Sequence, residues 1–241
     1  MSSFIADNPR SSSASVEALS AQLQELTPPK QIPIIHQLHA AGEAGDHVLK
    51  EFLLQHEGRP TIATGCAYHA LAAATAADVV TFLGDRFPNG VVPLPQDCQV
   101  DYSAVQQALM QQAYEDADRL TLLKLCELAG STAAQRKWLY FTEVAQFPVA
   151  DLRILDTLWS VYSEGKFGFA KQREIWLGVG KNWERLWPKI AWKKENLWTR
   201  YPKEFIWDLT APEGHLPLSN QLRGVRVMDS LMNHPAWEQT D

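Results

Sequence analysis

The chain has 241 residues, of which 46% are hydrophobic, and a formal net charge of -6. Its length is sufficient to bury a substantial core. The negative charge disfavours a general nucleic-acid-binding protein, which needs a basic surface. Cys66, Cys98 and Cys126 form no CxxC pair, which favours a reducing compartment over a disulfide framework. With no secretory signal and no apolar run of ~18 residues, we expect a cytoplasmic protein.

Tryptophan and proline divide the chain. All nine tryptophans follow residue 137, so two units with different packing are expected. Pro88, Pro93 and Pro95 are typical of a linker between them. The predicted segments are a disordered N-terminus (1–14), a small helical bundle (15–87), a linker (88–100) and a C-terminal helical core (101–241).

The N-terminal bundle is predicted from helical periodicity. Val16, Leu19 and Leu23 fall on one helix face, and Pro28 ends that helix. A second helix is predicted to begin near Gln31, and the Ala-rich run 62–83 predicts one or two more. Five histidines lie in this unit, but no carboxylate or thiol completes a ligand spacing around them, so we predict no metal site.

The C-terminal core is also predicted to be helical. Residues 135–147 are expected to form one aromatic helix that carries Phe141. Leu152, Leu155, Trp159 and Tyr162 trace a stripe at helical spacing, which indicates helix packing rather than a cofactor face. No run of alternating β-branched residues appears, so a sheet is not expected. The predicted fold class is all-α.

The segment 183–227 is the most unusual part of the sequence. It is rich in aromatic residues without a clear period, and residues 171–203 hold nine basic and three acidic residues. Asn220, Arg223 and Arg226 then follow at i, i+3 and i+6, which places them along one side of a helix. Two guanidinium groups in a row can bind two carboxylates of a flat apolar ligand.

Two other interpretations of this segment remain open. The arginines could pair with Asp208, Glu213 or Asp229 while the tryptophans bury each other, and composition alone favours this structural interpretation. Stacking of single-stranded nucleic acid is the weakest alternative because the rest of the chain is acidic. With only His215 and His234 in the core, and no nucleophile or phosphate-loop motif, the sequence gives no argument for catalysis.

Several motifs resemble the genomes-uncoupled-four family. The matching stretches are KLCELAG (124–130), WLYFTE (138–143), FPVADL (147–152), GKFGF (165–169), LWPK (186–189), GHLPL (214–218) and NQLRGVRV (220–227). They occur in the family's order and cover about 101–237. The N-terminal unit resembles, more loosely, the helical extension of cyanobacterial members.

The resemblance implies an all-helical core that binds protoporphyrin IX and Mg-protoporphyrin IX in a shallow cavity. It further implies a non-catalytic activator of magnesium chelatase that works with the H subunit of that enzyme in chlorophyll biosynthesis. The expected protein is monomeric and contacts membranes only peripherally. The implied porphyrin-binding residues are Phe141, Trp198, Tyr201, Phe205, Asn220, Arg223 and Arg226. The alternative function is a helical scaffold whose aromatic groove binds a protein partner.

Overall fold

The structure is a computed structural model that describes residues 9–218 and 225–238. Within these ranges it contains thirteen α-helices and one two-stranded antiparallel hairpin, so the predicted all-α class is confirmed. The chain divides into two compact units, residues 1–91 and 92–241, and the division falls within the predicted linker 88–100. No helix in the described ranges is long and apolar enough to cross a membrane.

Five helices form the first unit. They are α1 (Pro9–Glu25), α2 (Pro28–Ala40), α3 (Glu43–Gln55), α4 (Ile62–Ala72) and α5 (Ala77–Arg86). Helix α2 packs against α1, α3 and α4, and its inward face buries Ile35 and Leu38. Gly45 of α3 lies against the Leu38 backbone, where a Cβ atom would meet the carbonyl oxygen at 1.7 Å. Only glycine permits this approach of the two helices.

Two predictions for this unit are wrong in detail. Helix α1 begins at Pro9, inside the stretch 1–14 that was expected to be disordered. Proline suits a first helical turn, and each residue added to an existing helix gains a hydrogen bond at low cost. Helix α2 begins at Pro28 rather than near Gln31, because Pro28 itself occupies the first turn. The Ala-rich run 62–83 forms two helices, α4 and α5, in agreement with the prediction of one or two.

The second unit contains the remaining elements. They are α6 (Ser103–Met110), α7 (Tyr114–Leu128), α8 (Ser131–Arg136), α9 (Phe141–Val144), α10 (Val149–Val161), α11 (Phe169–Gly178), α12 (Trp183–Lys189), β1 (Lys193–Lys194), β2 (Leu197–Trp198), α13 (Arg226–Met232) and a 3₁₀ turn (Pro235–Trp237). The predicted stripe on α10 is buried as expected, with Leu152, Leu155 and Trp159 fully inaccessible. Tyr114 and Phe167 pack their rings against Trp159 in this core.

The single aromatic helix predicted over 135–147 is wrong. The chain leaves the helical conformation at Lys137, whose φ is 61°, and α9 begins only at Phe141. Arg136 stabilises this break, since its guanidinium lies 4.3 Å from the ring centroid of Trp138 and 4.3 Å from that of Tyr140. It also pairs with Glu143 at 2.6 Å. These long-side-chain contacts offset the loss of helical hydrogen bonds.

The hairpin β1–β2 is also a departure from the prediction of no sheet. Each strand is two residues long, with Lys193 opposite Trp198 and Lys194 opposite Leu197. Strands this short are too brief to show an alternating pattern in the sequence. The reversal uses Glu195, whose φ is 55°. The hairpin places Leu197 and Trp198 at the surface of the second unit, where they are 75% and 38% exposed.

Candidate functional site

A ladder of tryptophans supports the hairpin. Trp176, Trp183, Trp187 and Trp192 stack in sequence, with ring centroids 5.0, 5.3 and 5.7 Å apart. Trp198 packs at a tilt on Trp187 at 5.6 Å. The ladder runs from largely buried rings to the partly exposed ring of Trp198, so aromatic packing holds this surface ring in place.

The hairpin borders a cavity of about 640 Å³. We call it the hairpin cavity, and its lining residues are Pro188, Ala191, Lys193, Lys194, Glu195, Leu197, Trp198, Thr199, Glu204, Ile206 and His215. The ammonium of Lys193 lies 5.6 Å from the Trp198 ring and 2.6 Å from the Glu184 carboxylate. Lys194 is exposed. The cavity therefore combines apolar walls with charged side chains of both signs, because Glu195 and Glu204 line it together with the two lysines.

A second cavity, of about 680 Å³, lies between α9 and α13. We call it the arginine cavity, and its lining residues are Phe141, Ala145, Val225, Arg226, Asp229, Ser230, Asn233, His234 and Pro235. The Arg226 guanidinium lies 5.5 Å from the centroid of the Phe141 ring. The Ser230 hydroxyl donates a 3.0 Å hydrogen bond to the Phe141 carbonyl, which fixes the start of α9 against α13.

The Arg226 guanidinium has no carboxylate within ion-pair distance among residues 9–218 and 225–238. The carboxylates that could have paired with it are engaged elsewhere or lie farther off. Asp208 accepts hydrogen bonds from the backbone and hydroxyl of Thr210, and Glu213 lies 3.8 Å from Lys171. Asp229 lines the same cavity without approaching to ion-pair distance. Arg226 is exposed.

Residues 199–218 connect the hairpin to the region before α13, and we call them the wall segment. Its aromatic cluster consists of Tyr201, Phe205 and Trp207, with ring centroids 5.6–5.8 Å apart. Phe205 is buried and Tyr201 is 41% exposed. The Trp207 indole donates to the Pro202 carbonyl at 3.1 Å, which closes the cluster on itself.

The two histidines of the second unit use their ring nitrogens in structural hydrogen bonds. His215 lies 2.7 Å from the Ile190 carbonyl through Nδ1, and its Nε2 accepts from the Ile206 amide at 3.1 Å. This arrangement requires the neutral ring, and burial lowers the pKa of His215 accordingly. His234 accepts from the Ala236 amide, and burial lowers its pKa as well. Neither imidazole is arranged as an axial ligand for an iron porphyrin.

Asp118 on α7 is a buried carboxylate beneath the wall segment, with 2% exposure. It accepts a 2.5 Å hydrogen bond from the Leu218 amide. Desolvation raises the pKa of Asp118 to about 7, although the Leu218 amide and the Tyr201 hydroxyl act in the opposite direction. The same carboxylate helps raise the pKa of Tyr201 to about 12, after the larger effect of desolvation.

The predicted site residues fall into three groups. Phe141 and Arg226 lie together in the arginine cavity, and Trp198 lines the hairpin cavity. Tyr201 and Phe205 belong to the aromatic cluster of the wall segment. The described residues therefore supply two cavities where the sequence predicted one. Asn220 and Arg223 lie outside the described residues.

Sequence reasoning missed Asp118, Leu197, Ile206 and Ser230. Asp118 left a signal, because it shares the inward face of α7 with Tyr114, Thr121 and Leu125, all nearly inaccessible. A carboxylate on an otherwise apolar helix face predicts a buried hydrogen-bonded anion. No sequence pattern indicates the role of Ser230, because its hydroxyl bonds to a carbonyl 89 residues away in the chain.

These features define an all-helical protein that presents exposed aromatic rings and cationic side chains around two open cavities. Comparison with known families identifies it further. The family described as GUN4-like matches residues 95–235, and the family described as an ARM-like repeat domain, GUN4-N terminal, matches residues 8–88. The chain belongs to the GUN4-like family, as the resemblance predicted.

Three relatives illustrate the extent of the similarity. The chain is 48% identical to a Ycf53-like protein of Synechocystis over 92% of its own length and 96% of that protein. It is 34% identical to a chloroplastic tetrapyrrole-binding protein of Arabidopsis thaliana, over 58% of this chain and 56% of the relative. The solved structure of GUN4 from Chlamydomonas reinhardtii is 37% identical, with a TM-score of 0.57, and covers 61% of this chain and 95% of that one.

Proposed function

We propose that this protein binds protoporphyrin IX and Mg-protoporphyrin IX. The observation that carries the proposal is the exposed Arg226 guanidinium over the Phe141 ring, at the edge of an open cavity of about 680 Å³. The size is typical of small-molecule sites, which range over about 300–1,000 Å³. The relationship to a protein named as tetrapyrrole-binding supports the same ligand class.

The chemistry of a porphyrin suits these surfaces. A porphyrin is a broad apolar plate with two propionates on one edge. Phe141, Trp198 and Tyr201 are each about two-fifths exposed and offer flat faces on which such a plate can pack. Burial of ~300 Å² of apolar surface would contribute roughly 7 kcal/mol before the costs of association. The arginine at the edge can then bind a propionate through charge-assisted hydrogen bonds.

The first test is a titration of protoporphyrin that monitors quenching of tryptophan fluorescence. Wild-type protein should show saturable binding, because the tryptophan ladder ends at the exposed ring of Trp198. Arg226→Ala should weaken binding by about 5–10-fold, the size expected for one partly exposed charge pair. The matched control is Arg185→Ala, since Arg185 is an exposed arginine of the same unit that lines neither cavity. If both substitutions weakened protoporphyrin binding equally, Arg226 would not be the residue that binds a propionate.

We further propose that the protein acts as a non-catalytic activator of magnesium chelatase in chlorophyll biosynthesis, with the H subunit as its partner. The family membership supports this role. An activator needs an accessible contact surface, and Leu197 at the hairpin tip is 75% exposed. The expected result is that the purified chain alone turns over neither porphyrin nor ATP but raises the rate of the reconstituted chelatase. Intrinsic turnover would contradict the proposal.

The exposed hairpin also favours the second candidate, a helical scaffold that binds a protein partner in its aromatic groove. A pull-down with the H subunit, with and without protoporphyrin, distinguishes the porphyrin-binding activator from the scaffold. The leading proposal predicts both saturable porphyrin binding and capture of the subunit. Capture of a protein partner without any saturable porphyrin binding would favour the scaffold.

The proposed setting is the cytoplasm, with a monomeric protein that contacts membranes only peripherally. The exposed side chains of Lys189, Lys194 and Lys203 flank the exposed Leu197 in sequence and could approach an anionic lipid surface. Cell fractionation in high and low salt tests this setting, because a peripheral electrostatic contact should be released by salt. Light scattering of the purified chain tests the monomer.

A further inference from the structure

The loop between α8 and α9 leads directly to Phe141, which lines the arginine cavity. Two contacts with the rest of the unit support this stretch. Leu139, in the middle of the loop, is 2% exposed, and the Phe141 carbonyl accepts the hydrogen bond from Ser230. Each support acts at one point of the chain. The direction in which the chain enters α9 therefore depends on further contacts.

The Arg136 side chain supplies such contacts on both sides of Leu139. Its Nε atom donates to the Trp138 carbonyl at 3.0 Å, and its Nη2 atom donates to the Glu143 carboxylate at 2.6 Å. The same carboxylate oxygen accepts from the Tyr140 amide at 2.7 Å. One guanidinium thus connects the loop to the first turn of α9 through charge-assisted hydrogen bonds.

The same guanidinium also packs on two aromatic rings. It lies 4.3 Å from the ring centroids of both Trp138 and Tyr140, in the corner that these rings form at 67° to each other. The side chains of Arg136 and Glu143 are only 16% and 23% exposed, so solvent screens their attraction less than that of a surface pair. A planar guanidinium can stack on rings and donate in two directions at once.

We propose that Arg136 is a positioning residue for the ligand site. Through the Trp138 carbonyl and Glu143 it sets the direction in which the chain enters α9, and so it holds the Phe141 ring at the arginine cavity before a ligand binds. Arg136 is not among the residues that line this cavity, so its effect is exerted through Phe141. An ordered wall loses less conformational entropy when a planar ligand packs on it, which increases the affinity. The ligand rests on the function proposed above, whereas the order of the loop belongs to the ligand-free protein.

A double-mutant cycle with protoporphyrin titration tests this role. Arg136→Gln should weaken binding about fivefold in the wild-type background, because the Phe141 ring is no longer held in place. In the Phe141→Ala background the same substitution should change binding by less than about twofold, since the ring on which it acts is absent. Equal weakening in both backgrounds, or an unchanged affinity in Arg136→Gln, would overturn the proposal.

The matched control is Lys124→Gln. The Lys124 side chain is 20% exposed, its ammonium lies 2.9 Å from the Glu127 carboxylate, and it lines neither cavity. Its substitution should leave the affinity within about twofold of wild type. Glu143→Gln removes the Arg136 ion pair from the other side and should weaken binding as Arg136→Gln does, which keeps the test decisive if Arg136→Gln does not fold. Unchanged affinity in Glu143→Gln, or equal weakening in Lys124→Gln, would contradict the positioning role.

Hydrogen exchange of the ligand-free full chain tests the order of the loop without any ligand. The Tyr140 amide and those of residues 143–146 donate hydrogen bonds within this stretch, so their exchange reports its opening. Arg136→Gln should speed exchange of residues 140–146 several-fold relative to α10, and Lys124→Gln should not. Weaker binding without faster exchange would contradict the proposal, because Arg136 would then not order the loop. A wild-type protein that bound no protoporphyrin would refute the proposed function, while the exchange experiment would still decide whether Arg136 orders the loop.

Discussion

The two halves of the wall segment differ in how they are held. Residues 209–218 are bonded into the core: Gln172 donates to the Gly214 and Pro217 carbonyls, and the Trp192 indole donates to the His215 carbonyl at 2.7 Å. Residues 199–207 are also bonded to the core, through Thr199 and Ala191 and through the Ile206 amide and His215, but they bury mainly Phe205 and keep Tyr201 exposed. One irregular segment thus supplies both a base fixed by buried side chains and an aromatic wall that stays partly exposed.

The largest expected effect comes from breaking the base at Gly214. Its φ is 74°, and a Cβ atom would lie 2.8 Å from Ile175 Cδ1 and 3.0 Å from Ile190 Cγ2. Gly214→Ala should therefore lower the free energy of unfolding by about 2–4 kcal/mol, from backbone strain and overpacking together. Thermal or urea unfolding measures this loss.

Gly180→Ala is the matched control for that substitution. Gly180 also has a positive φ, of 71°, but nothing lies within 4 Å of its ideal Cβ position. Its loss should be about 1 kcal/mol, from conformation alone. Equal losses at the two glycines would contradict the close packing of the base against α11.

The next effect concerns the pH dependence that Asp118 gives to global stability. Its folded pKa of about 7 lies above the ordinary value of 3.8, so the folded protein binds the extra proton between these values. This contribution is present below pH 3.8 and is lost as the pH rises through 7. Between pH 5 and pH 8 it should lower the free energy of unfolding by about 2 kcal/mol.

Urea unfolding of wild type and Asp118→Asn at both pH values isolates this contribution. Other groups, such as Asp156 and His215, titrate in both proteins and cancel in the difference. The wild type should lose more stability than the variant between pH 5 and pH 8. Parallel losses would show that Asp118 does not carry the elevated pKa.

A smaller effect is expected at Gln172. Gln172→Met keeps the size of the side chain and removes both hydrogen bonds to the base, which should cost about 1–2 kcal/mol. The cost is reduced because the Oε1 atom has no partner in the described structure, so its removal relieves one unsatisfied acceptor. Gln107→Met, at an exposed position of α6, is the control and should change stability by less than about 0.5 kcal/mol.

The smallest effect on stability is expected on the wall side, at Trp198. Its ring is 38% exposed, so Trp198→Ala should change the free energy of unfolding by about 1 kcal/mol or less. The same change should weaken protoporphyrin binding by about tenfold, since it removes one flat face. Leu177→Ala, at a similarly exposed apolar residue outside both cavities, should leave binding unchanged. A large loss of stability with unchanged binding would place Trp198 in the base rather than in the site.

The parts of this structure that could be predicted from sequence are those where one local rule decides. Leu152, Leu155 and Trp159 were correctly placed in the core because helical period alone determines which side of α10 they occupy. The break at Lys137 was not predicted, because it depends on Arg136 reaching two rings and Glu143 at once. Contacts of this kind can be recognised, and weighed against helix formation, only when the tertiary structure is known.

The sequence named some of the residues that line the two cavities, but it did not predict how they are arranged. Arg226 and Phe141 were both identified, yet their proximity follows from packing of α13 on α9. Trp198 was predicted to share one site with Arg226 and Phe141, whereas in the structure it lines the hairpin cavity. The hydrogen bonds that hold the wall segment join residues far apart in the chain, such as Leu218 and Asp118, and no sequence period records them.

The most direct measurement compares two ligands on two proteins. Protoporphyrin and its dimethyl ester have the same aromatic plate, but the ester lacks the two negative charges. Each should be titrated into wild type and Arg226→Ala with tryptophan quenching as the readout. Our account predicts that Arg226→Ala weakens protoporphyrin about 5–10-fold and leaves the ester unchanged, because the guanidinium acts on a propionate. Equal weakening of both ligands, or binding of neither by wild type, would contradict it.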